Sequence, residues 1–199
     1  MQYIAIRSPC QMHCNRGFSL IQVLVSVFVL SIGLIGTGMI QLNAFRTTEQ
    51  SSFHNTALAL AMQIADEMRA NDVQMRLPPG ANPFENFSYL ADGVAPASSI
   101  APNCYAANCS SAQWANHSKL EWQRKVYEGL PGGRLQICRD ASVVDAAGNS
   151  FQWCGPGASG AGINAPVVIK IGWDEKDPDG TLVKDKSPRV ALLVAPYTR

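Results

Sequence analysis

Between Phe18 and Ile40 the chain reads FSLIQVLVSVFVLSIGLIGTGMI, an apolar run without a formal charge in which Gln22 is the strongly polar side chain. As a helix rising about 1.5 Å per residue, it is long enough to cross the ~30 Å hydrocarbon core of a bilayer. No Asp or Glu occurs before Glu49, and the formal charges ahead of it are Arg7, Arg16 and Arg46, with His13 able to add to them. An acid-free start flanking such a run is a membrane signature. Arg7 and Arg16 precede the run, so the positive-inside rule keeps the N-terminus in the cytoplasm and exports the rest. Arg46, just beyond the run, opposes that bias weakly. A length of 199 residues with 47% hydrophobic content predicts one ordinary domain plus an extra element. A net charge of +1 gives no basic patch or stripe of the kind nucleic-acid binding needs.

Several kinds of segment share this hydropathy. A cleaved secretory signal has a shorter apolar run and a small-residue site, and Leu42/Ala44 is a poor match to one. A lipoprotein signal needs a Cys just after the run, whereas Cys10 and Cys14 lie before it. A plain signal anchor fits by length and hydropathy.

Beyond the run the helical period continues. Phe53, Ala57, Leu60, Ala61, Ile64 and Met68 form one apolar stripe at 3.6-residue spacing, while His54, Gln63, Asp66, Glu67 and Arg69 take other faces. Leu77-Pro78-Pro79-Gly80 ends the pattern, because proline lacks the amide donor and restricts the residue before it. A helix from Phe18 to about Asn71 is expected, roughly 80 Å long at ~1.5 Å per residue. Gly33, Gly36 and Gly38 mark either a place of local unwinding or a site of close helix packing.

Residues 81–110 read as loop. Ser110 followed three residues later by Gln113 predicts a capping box and a helix from Ala112 to about Glu128, closed by Leu130-Pro131-Gly132-Gly133. Strands are expected over Arg134–Arg139, Ser150–Cys154, Val167–Trp173 and Arg189–Pro196, the run Val168-Ile169-Lys170-Ile171 suiting a strand with one buried face. The fold class that follows is α+β, a long N-terminal helix packed on a small antiparallel sheet.

In an exported domain the four cysteines Cys104, Cys109, Cys138 and Cys154 read as disulfides, with three connectivities open. Cys104–Cys109 with Cys138–Cys154 is favoured, because each pair closes a local loop and the second is able to staple adjacent strands. A zinc site built from all four is disfavoured by spacings that are not those of C-x2-C pairs.

The junction Arg16-Gly17-Phe18-Ser19-Leu20-Ile21-Gln22-Val23-Leu24-Val25 resembles the class III signal of type IV prepilins: a basic leader ending in Gly, then Phe-[Ser/Thr]-Leu-[Ile/Leu]-Glu and a long apolar run. More loosely, Leu130-Pro131-Gly132-Gly133, Ile137-Cys138-Arg139-Asp140 and Val168–Asp174 resemble the C-terminal landmarks of PilV-type minor pilins. In that family a membrane-embedded prepilin peptidase cuts after the Gly on the cytoplasmic side and methylates the new N-terminal Phe. The resemblance therefore assigns cleavage to Gly17/Phe18 and N-methylation to Phe18. It implies a cleaved leader over 1–17, which would carry away Cys10, His13 and Cys14. The transmembrane and filament-core half of the helix would cover 18–41, its periplasmic amphipathic half 42–76, and a disulfide-containing periplasmic α+β domain 77–199. The implied protein is a non-enzymatic minor pilin without cofactor. It starts as a single-pass inner-membrane protein and is then taken into a pilus supporting motility, adhesion or DNA uptake. Its partners would be the prepilin peptidase, other minor pilins, the major pilin and inner-membrane lipid, with no nucleic acid bound by this subunit.

One position departs from the pattern, since Gln22 stands where the family usually has Glu. That Glu is thought to meet the amino terminus of a neighbouring subunit, and a buried ammonium needs a counter-charge. Gln22 accepts a hydrogen bond but neutralises nothing. Either this subunit does not make the standard contact, as at a filament tip or in an initiating complex, or Gln is tolerated there.

No nucleophile motif, phosphate-binding loop or metalloprotease helix motif is present, so no catalytic or metal-ligating residue is assigned. His54 and His117 read as surface or packing residues. Glu175-x-Asp177-x-Asp179-Gly180 begins like a calcium loop, but Lys186 stands where the bidentate Glu belongs, which favours a solvated turn. A type II secretion minor pseudopilin would share the leader, and a membrane-anchored periplasmic enzyme or binding domain is the alternative of another class. Mass spectrometry of the mature N-terminus separates the last from the others. Methyl-Phe18 is the expected species, and an intact Met1 would sink the prepilin resemblance.

Overall fold

The computed structural model describes residues 19–145, 148–155, 165–176, 181–183 and 187–194. Its elements are helices α1 (Leu20–Ala70), α2 (Asp72–Met75) and α3 (Ser111–Gly129), and strands β1 (Phe87–Leu90), β2 (Arg134–Arg139), β3 (Val167–Gly172), β4 (Glu175–Lys176), β5 (Leu182–Val183) and β6 (Val190–Val194). The chain divides into two compact units at Thr47/Thr48, a boundary that α1 crosses. The fold is α+β: a long N-terminal helix packed on a small antiparallel sheet.

In the second unit the sheet order is β1-β2-β3-β6, with every neighbour antiparallel, while β4 and β5 form a separate two-stranded ladder. The register sets Leu135 opposite Ile171 and Ile137 opposite Ile169, so one face of β2 and β3 is aliphatic. That face shares a buried cluster with Ala57, Leu60, Ala61, Ile64, Ala65 and Met68 of α1 and with Trp122 and Val126 of α3. The alanines at 57, 61 and 65 recur every fourth residue, so they align along one side of the helix and leave little bulk there. Polar contacts fix the helix pair. The Trp122 Nε1 donates to Glu67 Oε2 at 2.7 Å, and Gln63 Nε2 donates to the other Glu67 oxygen at 2.6 Å. Buried charge closes the far end of β2, where Arg139 Nε donates to Glu85 Oε1 at 2.8 Å and Arg139 Nη1 to the Ala165 carbonyl at 2.9 Å.

Local sequence signals account for most boundaries. Ser110 Oγ accepts from Gln113 N at 3.3 Å and Gln113 Oε1 accepts from Ser110 N at 2.8 Å, a reciprocal capping box that starts α3. Helix α1 ends earlier than the Leu77-Pro78 breaker. Asn71 leaves helical geometry, and its side-chain amide donates to the Ser111 carbonyl at 2.9 Å. A single further turn, α2, then buries Gln74 and Met75.

Four expectations are corrected. First, α1 stays helical through Gly33, Gly36 and Gly38, so no unwinding occurs there. Secondly, the 81–110 segment is not all loop, because Phe87–Leu90 joins the sheet edge, pairing Phe87 with Ile137 and Leu90 with Arg134. Thirdly, Ser150–Cys154 forms no strand. It contributes an isolated bridge between Val144 and Phe151, and its backbone instead lies over the outer face of the sheet. Fourthly, β3 is buried on both faces. Its outer side carries Val168 and Lys170, and Lys170 is fully buried, donating to the Gln152 carbonyl at 2.6 Å and pairing with Asp140. A lysine in the middle of a strand is acceptable there because the charge meets a carboxylate and a carbonyl as it loses water. The last two residues of the expected Arg189–Pro196 strand lie outside the described residues.

The Leu130–Gly133 turn depends on both of its glycines: a Cβ at Gly133 would run into Val126, and Gly132 is held in the left-handed region. Gly132 has φ of 55°, and a Cβ there would run into the Asp174 carboxylate, while the Asp174 amide donates to the Pro131 carbonyl at 2.8 Å. Replacing Gly132 by Ala is expected to destabilise the domain by about 1–3 kcal/mol, from left-handed backbone strain together with displacement of Asp174. Thermal denaturation of the full chain in lipid nanodiscs measures this, and an unchanged midpoint would show that the turn relaxes without penalty.

Candidate membrane and assembly segment

The first unit contains the leading part of α1. Every large apolar side chain from Leu20 to Phe45 is exposed, including Leu20, Phe28, Leu34, Ile40 and Phe45. The hydroxyl side chains among them turn back onto the helix. Ser26 Oγ donates to the Val23 carbonyl at 2.8 Å, Ser31 Oγ to Val27 at 2.8 Å, and Thr37 Oγ1 to Leu34 at 2.9 Å. Such back-bonding satisfies hydroxyls without water, as a hydrocarbon environment demands. Around Gly33, Gly36 and Gly38 an added Cβ would meet nothing within 4 Å, so this stretch presents bare backbone to whatever approaches it. The helix is long and apolar enough to cross a membrane.

Gln22 lies in the first turn, exposed, with its backbone N–H donating to the Ser19 carbonyl at 2.9 Å. Gly17 and Phe18, the cleavage and methylation positions, lie outside the described residues, as do Cys10, His13 and Cys14 of the leader. From Leu20 to Phe45 there is no acid, base or nucleophile apart from hydroxyls already bonded to backbone. The segment offers apolar packing area and no reaction chemistry.

In the second unit, Cys104 is bonded to Cys109 and Cys138 to Cys154. The second pair does not link two strands. It ties β2 to the loop over the outer sheet face, where the Cys154 amide donates to Gln136 Oε1 at 3.0 Å and Arg134 stacks on the Trp153 ring at 4.3 Å. This lid is what buries Lys170. The first pair closes a short clip that carries Tyr105. His54 stands edge-on to Trp173, and His117 is buried against Tyr105 and Trp114. Glu175 pairs with Arg189, whereas Asp177, Asp179, Gly180 and Lys186 of the calcium-like stretch lie outside the described residues. Among the described residues, no group of three or more His, Cys, Asp or Glu is placed to hold a metal ion.

Sequence reasoning missed a second feature, the grouping of Tyr105, Trp114 and His117 beside a cavity of about 560 Å³. Trp114 and His117 are three apart on α3, a spacing visible in advance. Tyr105 joins them only through the clip. No known protein family, curated protein or solved structure matches the chain.

Removing the lid bridge with Cys138→Ser and Cys154→Ser together is expected to cost about 3 kcal/mol, the chain-entropy value for a loop of roughly 15 residues. Removing the shorter Cys104–Cys109 bridge should cost less, about 2 kcal/mol on the same scaling. Chemical denaturation of both double variants measures the two values, and an equal or reversed order would contradict the loop-length account.

Proposed function

We propose that the chain is a minor pilin of the PilV type. In this reading it is made as a prepilin, held in the inner membrane by the segment from Phe18 to about Gln41, cut between Gly17 and Phe18 by a prepilin peptidase, and packed into a type IV pilus. The observation that supports it most is the conjunction of the Arg16-Gly17-Phe18 junction with an unbroken helix from Leu20 on which every large apolar side chain is exposed up to Phe45. A contiguous apolar surface of that extent is abnormal for a soluble monomer and needs lipid or protein to cover it. One segment serves both environments, because the hydroxyls are bonded within the helix and no side-chain charge has to be shed on moving from lipid into a filament core.

A folded domain with two disulfides is consistent with export to an oxidising compartment. The role is structural: the helix supplies packing area, and the domain presents a surface on the outside of the assembly. Gln22 then bears on position. A subunit that cannot neutralise a neighbour's terminal ammonium suits the tip or the initiating complex better than the repeating shaft.

Deleting the gene in its source cell is expected to reduce surface pili several-fold while leaving release of exoproteins intact, as counted by electron microscopy and by secreted-protein assay. Loss of exoprotein release with normal pili would instead identify a secretion pseudopilin. Restoring the charge with Gln22→Glu is expected to raise the share of this subunit in sheared filaments several-fold, read by immunoblot. No change in pilus number or incorporation would mean that Gln is simply tolerated.

A further inference from the structure

We infer that the cavity bounded by the end of α1, α2 and the start of α3 is a binding site for a neutral saccharide, with Tyr105 and Trp114 as its stacking surfaces. The cavity measures about 560 Å³, within the range of small-molecule sites. Its aromatic wall is a set of three mutually tilted rings. Tyr105 and His117 centroids are 4.8 Å apart at 87°, Tyr105 and Trp114 5.8 Å apart at 85°, and Trp114 and His117 5.8 Å apart at 67°.

Ring geometry and charge select the class of ligand. A quaternary ammonium held between two rings needs their faces roughly 7 Å apart or more, two van der Waals contacts across. These rings touch each other edge to face, so Tyr105 and Trp114 offer a ligand two near-perpendicular surfaces, a cornered platform and not a cage. The carboxylates on the lining are already engaged. Asp72 pairs with Arg76 at 3.2 Å and Glu121 with Arg124 at 2.9 Å, and Glu67 accepts from Gln63 and Trp122. A cationic ligand would have to compete with those pairs and would meet the Lys125 ammonium on the same lining, while an anion would meet three carboxylates against that one ammonium. What the lining offers is aromatic area beside the Asn71 side-chain oxygen, the Ser118 hydroxyl and the Lys125 ammonium, groups that accept and donate hydrogen bonds. A pyranose matches that combination: one face of weakly positive C–H bonds for the negative ring face, and a rim of hydroxyls that both donate and accept.

The platform is built in advance of any ligand. Tyr105 is 74% exposed and Trp114 38% exposed, unusual for large aromatic side chains near a cavity. Tyr105 is nevertheless held. Its amide donates to Asn103 Oδ1 at 3.0 Å, the amides of Ala106 and Ala107 both donate to the Asn103 carbonyl at 3.0 Å, and Cys104 is buried and bonded to Cys109. Fixing the backbone that carries the exposed ring by a disulfide and an Asn turn lowers the ordering cost that binding would otherwise incur. The site would act in the same way whether or not the chain enters a filament.

The test uses the full processed chain in phosphatidylcholine nanodiscs, which avoid glycosidic detergents. Saturation-transfer NMR and calorimetry would be run against glucose, galactose, mannose, N-acetylglucosamine and short oligomers of each. At least one of them is expected to bind with a Kd between about 10 μM and 10 mM, with the strongest transfer to the C–H protons of one ring face. Tyr105→Ala and Trp114→Ala should each weaken it at least tenfold, and Tyr105→Phe should largely preserve it. Tyr105 is mostly exposed, so an unchanged melting midpoint for Tyr105→Ala separates loss of the platform from loss of the fold. No binding by any member of the panel would overturn the inference. So would binding that Tyr105→Ala leaves unaltered.

Discussion

Everything ordered in the domain depends on one stripe of α1 being removed from water. Ala57, Leu60, Ala61, Ile64, Ala65 and Met68 are the surface onto which Leu135, Ile137, Ile169 and Ile171 of the sheet close. At about 25 cal/mol per Å² of apolar area, this burial is the main favourable term of the domain. It also dictates geometry. Strands β2 and β3 pair in the register that sets their aliphatic residues opposite one another, since a slip by one residue would turn Leu135 and Ile137 to the other face. With that face committed, the sheet had to solve a second problem on its outer side.

The solution there is electrostatic and covalent. Lys170 faces away from α1, and an unpaired ammonium there would be costly to bury. Asp140 and the Gln152 carbonyl receive it, and the loop that supplies Gln152 is anchored to β2 through Cys138–Cys154. The disulfide and the buried ion pair are thus coupled: the bridge holds the lid, and the lid supplies part of the lysine's coordination. The same economy recurs at the other end, where Cys104–Cys109 fixes a short clip and the clip positions Tyr105.

Helix α1 carries two kinds of surface under one hydrogen-bonding scheme. Its backbone bonds run within the helix and its hydroxyls return to it, so the apolar stretch from Val23 to Ile40 asks only apolar contact of its surroundings. From Thr48 onward the same scheme presents a stripe to a protein core. Side-chain chemistry, and not backbone structure, distinguishes the halves, and the change falls where Arg46 and Glu49 bring in the first charges after the apolar run.

The features legible in the sequence alone are those decided by near neighbours. Hydropathy from Phe18 to Ile40 exposes a membrane-length helix, the 3.6-residue stripe exposes the buried face of α1, and Ser110 with Gln113 marks the start of α3, because each depends on residues within a few turns of one another. Features settled by distant partners were not legible. Phe87–Leu90 alternates for only four residues and becomes a strand because β2 offers it an edge. Ser150–Cys154 has strand-like residues but is drawn over the outer face to cover Lys170. The end of α1 near Asn71 was legible, but the bond from the Asn71 side chain to Ser111, 40 residues away, was not. Tyr105 reaches Trp114 and His117 only once a disulfide bends the chain toward α3. Local periodicity and capping are written in the order of residues, whereas edge pairing, buried charge and ring clusters exist only after folding brings distant groups together and takes their water away.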